Sequence, residues 1–261
     1  MTAAAELNYE VEDGIGLITF NRPQARNALT FAMYDRLVEI CSRVPEDGSV
    51  RVIIMTGAGG KAFAAGTDIS QFRAFETAEQ GLAYERRADA IFAAIEACPV
   101  PTIAAIAGAC TGGGAGIAGC CDLRIGARDM KFGFPIARTL GNCLSAATLA
   151  RLVALIGQAR VVDLVFTARL IGAEEAHAIG LVNELGDDHA AVMARAMALA
   201  RQIKGHAPLT MQVTKELLRR LAQAGGCVDD RDLVAKVYTS ADFREGLDAF
   251  LAKRTPRWQG R

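Results

Sequence analysis

Residues 101–122 set the strongest constraint on how this chain can fold. An apolar run, Pro101-Thr102-Ile103-Ala104-Ala105-Ile106-Ala107, leads into Gly108-Ala109-Cys110-Thr111-Gly112-Gly113-Gly114-Ala115-Gly116-Ile117-Ala118-Gly119-Cys120-Cys121-Asp122. The length of the run and its prolines, Pro99 and Pro101, suit a buried strand. The triplet Gly112-Gly113-Gly114 lets the backbone turn sharply and leaves N–H groups bare where another group must approach. The small apolar residues that follow fit a short buried helix. Its first amides lack intrahelical partners, and such amides favour negative charge. The stretch therefore predicts a site for an oxyanion or a phosphate.

Three other readings compete. Gly114 to Gly119 fits G-x-G-x-x-G, the mark of dinucleotide binding. The next strand-like run, Asp122 to Gly126, begins too soon for a crossover, which needs about 10–12 residues. Ala97 to Cys121 carries no charge and is long enough to span a membrane, but it holds two prolines and six glycines and no Leu or Phe. Finally, the glycines could serve only the close packing of a buried helix on a sheet.

The 261 residues allow one large domain, or a domain with a helical appendage. Twenty-nine basic and 29 acidic residues cancel, so net charge implies no attraction to nucleic acid or membrane. The seven cysteines are odd in number and irregularly spaced, with Cys120 and Cys121 adjacent and no C-x-x-C pair. Free thiols in a reducing compartment are expected, and no metal site. The first residues, Met1 to Glu6, lack the basic and apolar regions of a secretion signal, so the expected location is the cytoplasm.

Leu7, Tyr9 and Val11 alternate with polar residues, Asp13-Gly14 turns the chain and Ile15 to Phe20 returns, a hairpin. A helix is expected from Thr30, a good N-cap, with the stripe Met33, Leu37, Ile40, Cys41 and Val44. Val52 to Met55 reads as a buried strand. Thr56-Gly57-Ala58-Gly59-Gly60 and Lys61 to Ile69 follow as a glycine-rich loop and a turn into a helix, a second place where bare amides could converge. An ordinary strand-to-helix loop, with Asp68 capping the helix, is the simpler account of that segment. Ser70 to Gly81 reads as a solvated loop or mobile helix, and Ala88, Ile91, Phe92 and Ile95 mark an amphipathic helix stopped by Pro99.

After a short strand at Lys131 to Pro135, Ile136 to Ser145 reads as a loop before a helix over 146–155. Val161 to Leu164 and Ala173 to Ala178 read as helical, and Gly180 to Asn183 as a strand. From about residue 190 only helices are expected, the last with Phe243, Leu247, Phe250 and Leu251 on one face. The coarse result is an α/β core over residues 1–195 and a helical region over 196–261.

Taken in order, several motifs resemble the crotonase superfamily, the enoyl-CoA hydratase/isomerase group. They are Asn21-Arg22-Pro23 with Asn27-Ala28-Leu29, Phe63-Ala64-Ala65-Gly66-Thr67-Asp68-Ile69, Gly112-Gly113-Gly114, Cys121-Asp122-Leu123 and Ile179-Gly180-Leu181-Val182. The ending Glu245 to Pro256 is similar as well. The resemblance implies an α/β spiral of ββα units in two sheets, with C-terminal helices that build trimers, often paired as hexamers. It implies an acyl-CoA thioester as ligand, with coenzyme A part of the substrate and no separate cofactor. By position, the amides of Thr67 and Gly113 would hold the thioester oxygen. Ala64, Ala65, Gly66, Asp68 and Ile69 would lie along the coenzyme A, and Arg26 and Lys253 would meet its phosphates, Lys253 from a neighbouring subunit.

Fixed dipoles aimed at an enolate oxygen need no reorganisation, and losing one such donor typically costs roughly 2.7–4 kcal/mol of barrier. A bulky residue at Gly113, such as Val, is accordingly expected to block the site while sparing the fold. The family's hydratases use two glutamates on a water. Here the first falls at Gly116 and the second at Ile136 or Ala137, none of them ionisable. Arg138 and Asn142 are the named replacements, with Asp68, Cys143 and Ser145 nearby. Asp122 reads as a structural acid, His177 as packing, and His189 and His206 lie in the tail region. The other expected role is a paralogue that binds acyl-CoA with little or no hydratase activity.

Overall fold

A computed structural model describes residues 6–72, 76–224 and 229–261. Met1 to Ala5, and part of the segment expected as a solvated loop over 70–81, lie outside the described residues. Strands β1 (Leu7–Glu12) and β2 (Ile15–Phe20) form the expected hairpin, with Leu7 opposite Phe20 and the turn made by Asp13 (φ 49°) and Gly14 (φ 73°). Helix α1 (Phe31–Ser42) starts where Thr30 predicts: its hydroxyl oxygen accepts the Met33 N–H at 3.3 Å.

Three strand pairs follow, β3 (Val52–Gly57) with β4 (Ala62–Ala64), β5 (Thr102–Ile106) with β6 (Ala109–Thr111), and β7 (Leu123–Ala127) with β8 (Lys131–Gly133). The first strand of each pair joins a six-stranded sheet of order β1-β2-β3-β5-β7-β10, and the second joins a four-stranded sheet of order β4-β6-β8-β9. Strand β9 is Ile171–Gly172 and β10 is Glu184–Gly186. Helix α2 (Ala78–Glu96) follows the first pair and α3 (Gly113–Cys120) the second. The third leads to α4 (Ile136–Thr139), α5 (Ala146–Ile156), α6 (Gln158–Phe166) and α7 (Ala173–Ala178). This is the ββα progression that the motifs imply.

Strands β3 and β5 are buried on both faces, which is why they read as unbroken apolar runs. Ile53, Met55, Ala104 and Ile106 pack with Phe63, Cys110 and Phe132 between the two sheets. Their sequence neighbours Val52, Ile54, Ile103 and Ala105 face the other way. That face is covered by Val192, Ala196, Ala200 and Ile203 of α8 (His189–Lys204). The domain division expected after residue 195 falls inside α8, which belongs with the sheet. Beyond it lie α9 (Pro208–Ala224), α10 (Arg231–Tyr238) and α11 (Ala241–Leu251).

Two local expectations are corrected. Gly180 to Asn183 is not a strand: Gly180 (φ 78°) ends α7, and the Val182 N–H returns to the Ala176 carbonyl at 3.1 Å, so Leu181 and Val182 are buried as a helix stop. The segment after Pro135 is not all loop, because it opens with the short helix α4. The dinucleotide reading also fails on topology. The strands on either side of α3, β6 and β7, lie in different sheets, so α3 is no crossover within one sheet. Among the described residues no helix is long and apolar enough to cross a membrane.

Asp122 has the structural role expected. Its Oδ2 accepts the Thr102 N–H (2.7 Å) and hydroxyl (2.8 Å) and pairs with Lys215 Nζ at 2.6 Å, pinning α9 to β5. Asn27, fully buried at φ 56°, is a second anchor. Its Nδ2 donates to the carbonyls of Ala58 (3.0 Å) and Ala62 (2.8 Å), and its Oδ1 accepts the Arg22 N–H at 2.9 Å. Asn27→Ala leaves these groups unpaired and is expected to cost about 1–3 kcal/mol or more. A urea-unfolding midpoint equal to that of the unmodified chain would contradict this account.

Candidate functional site

In the small sheet β4 runs parallel to β6, with Ala64 beside Cys110, and β6 runs parallel to β8, with Thr111 beside Gly133. Three chain segments therefore leave the same edge side by side: Ala65 to Asp68, Gly112-Gly113, and Phe134 to Ile136. Gly66 (φ 105°) and Gly112 (φ 54°) adopt backbone that side chains disfavour. A Cβ on Gly112 would lie 3.4 Å from the Gly66 Cα, so the two loops touch backbone to backbone.

The first loop is held by the segment after β2. Leu29 N–H donates to the Gly66 carbonyl at 2.8 Å and Asp68 N–H to the Leu29 carbonyl at 2.9 Å, so Thr67 bridges Leu29 in parallel fashion. In such a bridge the N–H of the middle residue faces away from the partner strand. Among the described residues the Thr67 N–H meets no backbone acceptor. The Gly113 N–H, first of α3, has no intrahelical acceptor either. Both residues line one cavity of about 210 Å³.

Helix α2 also lines the cavity, through Tyr84, Glu85, Ala88 and Phe92, as do Leu140, Asn142 and Cys143. The Thr67 hydroxyl lies 2.9 Å from the Tyr34 hydroxyl and 3.0 Å from that of Tyr84. Burial raises both tyrosine pKa values, so the three hydroxyls form a neutral chain. Phe31 and Phe72 pack against the Tyr84 ring at centroid distances of 6.1 and 4.7 Å.

Glu85 is the carboxylate among the described lining residues, and reading the sequence missed it. Burial, and then Asp89 one turn on, push its pKa above the usual carboxylate range. A signal was present: Glu85 precedes Ala88 and Phe92 by three and seven residues, the same face of a helix. That helix begins at Ala78, ten residues before the apolar stripe that marked it.

Of the residues named from sequence, Thr67, Gly113, Ala65, Gly66, Ile69, Asn142 and Cys143 line the cavity. Ala64 is buried at the end of β4, outside the lining. Arg26 is exposed, but its carbonyl accepts the Ala65 N–H at 3.1 Å, so it flanks the loop. Asp68 is turned from the cavity: it pairs with Arg22 at 2.9 Å and accepts the Ser70 hydroxyl at 2.7 Å, and these contacts lower its pKa. Arg138 is exposed on α4 and outside the lining, and Lys253 is exposed just after α11. Ser145 caps α5 and donates to Asp89 at 2.6 Å, and His177 Nδ1 lies 3.1 Å from the Val182 carbonyl oxygen. Among the described residues no cluster of His, Cys, Asp and Glu could hold a metal ion.

The positions at which the resemblance places the family glutamates are also defined. A Cβ on Gly116 would come within 2.7 Å of Phe92 Cε1 and closer still to Cζ. Ile136 is buried and lines the cavity, whereas Ala137 is exposed.

The family described as Enoyl-CoA hydratase/isomerase matches this sequence over residues 10–261. The chain belongs to the enoyl-CoA hydratase/isomerase family. It is 34% identical over 256 residues to the human protein named enoyl-CoA hydratase domain-containing protein 2, mitochondrial, covering 96% of this chain and 87% of that one. It is 32% identical over 248 residues to a short-chain-enoyl-CoA hydratase of Clostridium acetobutylicum, covering 94% of each. In structure it is similar to an enoyl-CoA hydratase/carnithine racemase from Magnetospirillum magneticum, with a TM-score of 0.89 and 35% identity over 98% of this chain and 96% of that one. The crotonase fold read from the motifs is thus the fold of this family member.

One expectation about Gly113 is corrected by its surroundings. A Cβ there would overlap the Tyr34 hydroxyl and lie 3.2 Å from Thr67 Oγ1, so Gly113→Val does not spare the fold. Gly113→Ala is expected to lower the unfolding temperature, and Tyr34→Phe, which removes the overlapped oxygen, to restore part of the loss. Equal losses from Gly113→Ala in the presence and absence of Tyr34 would refute this packing account.

Proposed function

We propose that this chain is an acyl-CoA thioester enzyme of the enoyl-CoA hydratase/isomerase type, which holds a thioester enolate between the amides of Thr67 and Gly113. The observation that carries the reading is that these two amides lie on touching loops at one cavity, each without a backbone acceptor among the described residues. Charge that develops on a thioester oxygen is stabilised by donors already fixed in place, in a cavity that limits water.

The family's usual pair of glutamates is replaced. The Phe92 ring fills the space that a side chain at Gly116 needs, and Ile136 presents a hydrocarbon to the cavity. Hydration by two carboxylates on one water is then unavailable in its usual form, and reactions of the enolate itself are favoured. The loop Ala64 to Ile69 would bind the coenzyme A, with Arg26 and Lys253 toward its phosphates and no separate cofactor. Asn142 would contact the acyl group. Arg138 would act from outside the cavity wall.

The assembly would be a trimer or a hexamer of paired trimers, working in the cytoplasm. Phe243, Leu247, Phe250 and Leu251 support an interface there, being 40, 51, 82 and 72% exposed on the last helix. A second reading is an acyl-CoA-binding paralogue with little or no hydratase activity, favoured by the same filled space at Gly116.

Purified protein is mixed with crotonyl-CoA and a panel of other CoA thioesters, and products are followed by thioester absorbance and mass. Turnover of at least one thioester is the expected result. Tight binding of every thioester with no turnover selects the paralogue. Absence of binding removes both readings.

A further inference from the structure

The cavity described above holds one carboxylate among its described lining residues, and the family resemblance assigns it no task. Glu85 sits on α2 between Tyr84 and Ala88 and lines the same cavity as Thr67 and Gly113. Its side chain makes no hydrogen bond or ion pair with another described residue, whereas two charged neighbours are committed. Arg87 turns the other way, to Asp35 at 2.8 Å, and Asp89 accepts the Ser145 hydroxyl at 2.6 Å. Thr67 of the loop after β4 and Tyr84 of α2 itself offer neutral hydroxyls, and the lining adds Asn142 and Cys143.

We propose that Glu85 is the catalytic base and acid of this cavity, moving a proton between the α and γ carbons of a short β,γ-unsaturated acyl-CoA. The proposal rests on reading the cavity as an acyl-CoA site. The Glu85 carboxylate takes a proton from the carbon beside the thioester carbonyl. The electrons of the broken C–H bond form the enolate double bond, and the carbonyl π electrons move to the oxygen held by the two amides. As these electrons return, the Glu85 carboxylic acid gives the proton to the γ carbon, and the double bond shifts to the α,β position. Atoms and electrons balance within the substrate and one carboxyl group, with no co-reactant. Hydration in the family's usual form uses a second carboxylate on the water, and the described lining residues offer Glu85 none.

Burial, and then Asp89, hold the Glu85 carboxyl above the usual carboxylate range, the direction that helps one group act first as base and then as acid. Because the first step needs the ionised form, the rate falls as pH drops through that raised pKa.

The test is conversion of 3-butenoyl-CoA to crotonyl-CoA in D₂O, followed by absorbance and by deuterium uptake in mass spectra, with butyryl-CoA binding measured by calorimetry. Wild type is expected to convert the thioester. Glu85→Gln should lower the rate by roughly 10²–10⁴-fold, while its butyryl-CoA affinity stays within a few-fold. Glu85→Asp should keep part of the rate and move the acid limb of the pH profile. An undiminished rate in Glu85→Gln, or an acid limb that neither variant moves, overturns the proposal. Butyryl-CoA binding without conversion by wild type overturns the role of Glu85 alone. Absence of binding overturns the acyl-CoA reading of the cavity and this proposal with it.

Discussion

Parallel pairing of three very short strands is what brings the cavity into being. Strands β4, β6 and β8 have three residues each, and because they run the same way their following loops emerge at one edge. Residues 67 and 113 are far apart in the chain, yet the ladder leaves them no other place to be. Ligand sites at the carboxyl ends of parallel strands are a general outcome of this arrangement. Here the strands that do this belong to the smaller sheet, while the larger one supplies the buried, two-faced core that keeps them in place.

The loop after β4 would be floppy on its own, and the motif residues near the N-terminus explain why it is not. Arg22 reaches the Ala28 carbonyl at 2.6 Å, Asp68 at 2.9 Å and Glu6 at 3.3 Å, so one half-buried cation ties three segments. Asn27 fastens the same turn to the β3–β4 connection. Leu29 then pairs with the loop itself. Asn21 to Leu29 and Phe63 to Ile69 are thus one structural unit read as two separate motifs. Asp68 belongs to this scaffold by its contacts, which fits the capping role weighed for it from sequence.

Much of the architecture was legible because the signals were local. The alternation over 7–20, the cap at Thr30, the apolar runs over 52–55 and 101–107 and the glycine triplet each fixed an element through its own residues. The misreadings have a common cause. Leu181 and Val182 look like strand because they are apolar, but they are buried by closing α7, a role decided by where Gly180 sends the chain. Residue 195 looked like the end of the core because helices dominate after it, while Ala196, Ala200 and Ile203 cover the sheet. Glu85 went unnoticed for a third reason. A single acid in a polar stretch carries no mark of burial until α2 is seen to extend back to Ala78 and line the cavity with that face. Tyr34 gave no functional signal either, since its hydroxyl finds Thr67 only through tertiary packing.

Phe92 and Gly116 lock each other, and this bears on how the site could change over generations. The ring lies where a side chain at 116 would go, buried with Arg151 5.7 Å from its centre. A carboxylate arriving at 116 while the ring remains would collide with it. Shrinking the ring first would leave a void of the kind that typically costs about 3–5 kcal/mol. Each order of events passes through a weakened intermediate, so what residue 116 can become depends on what stands at residue 92.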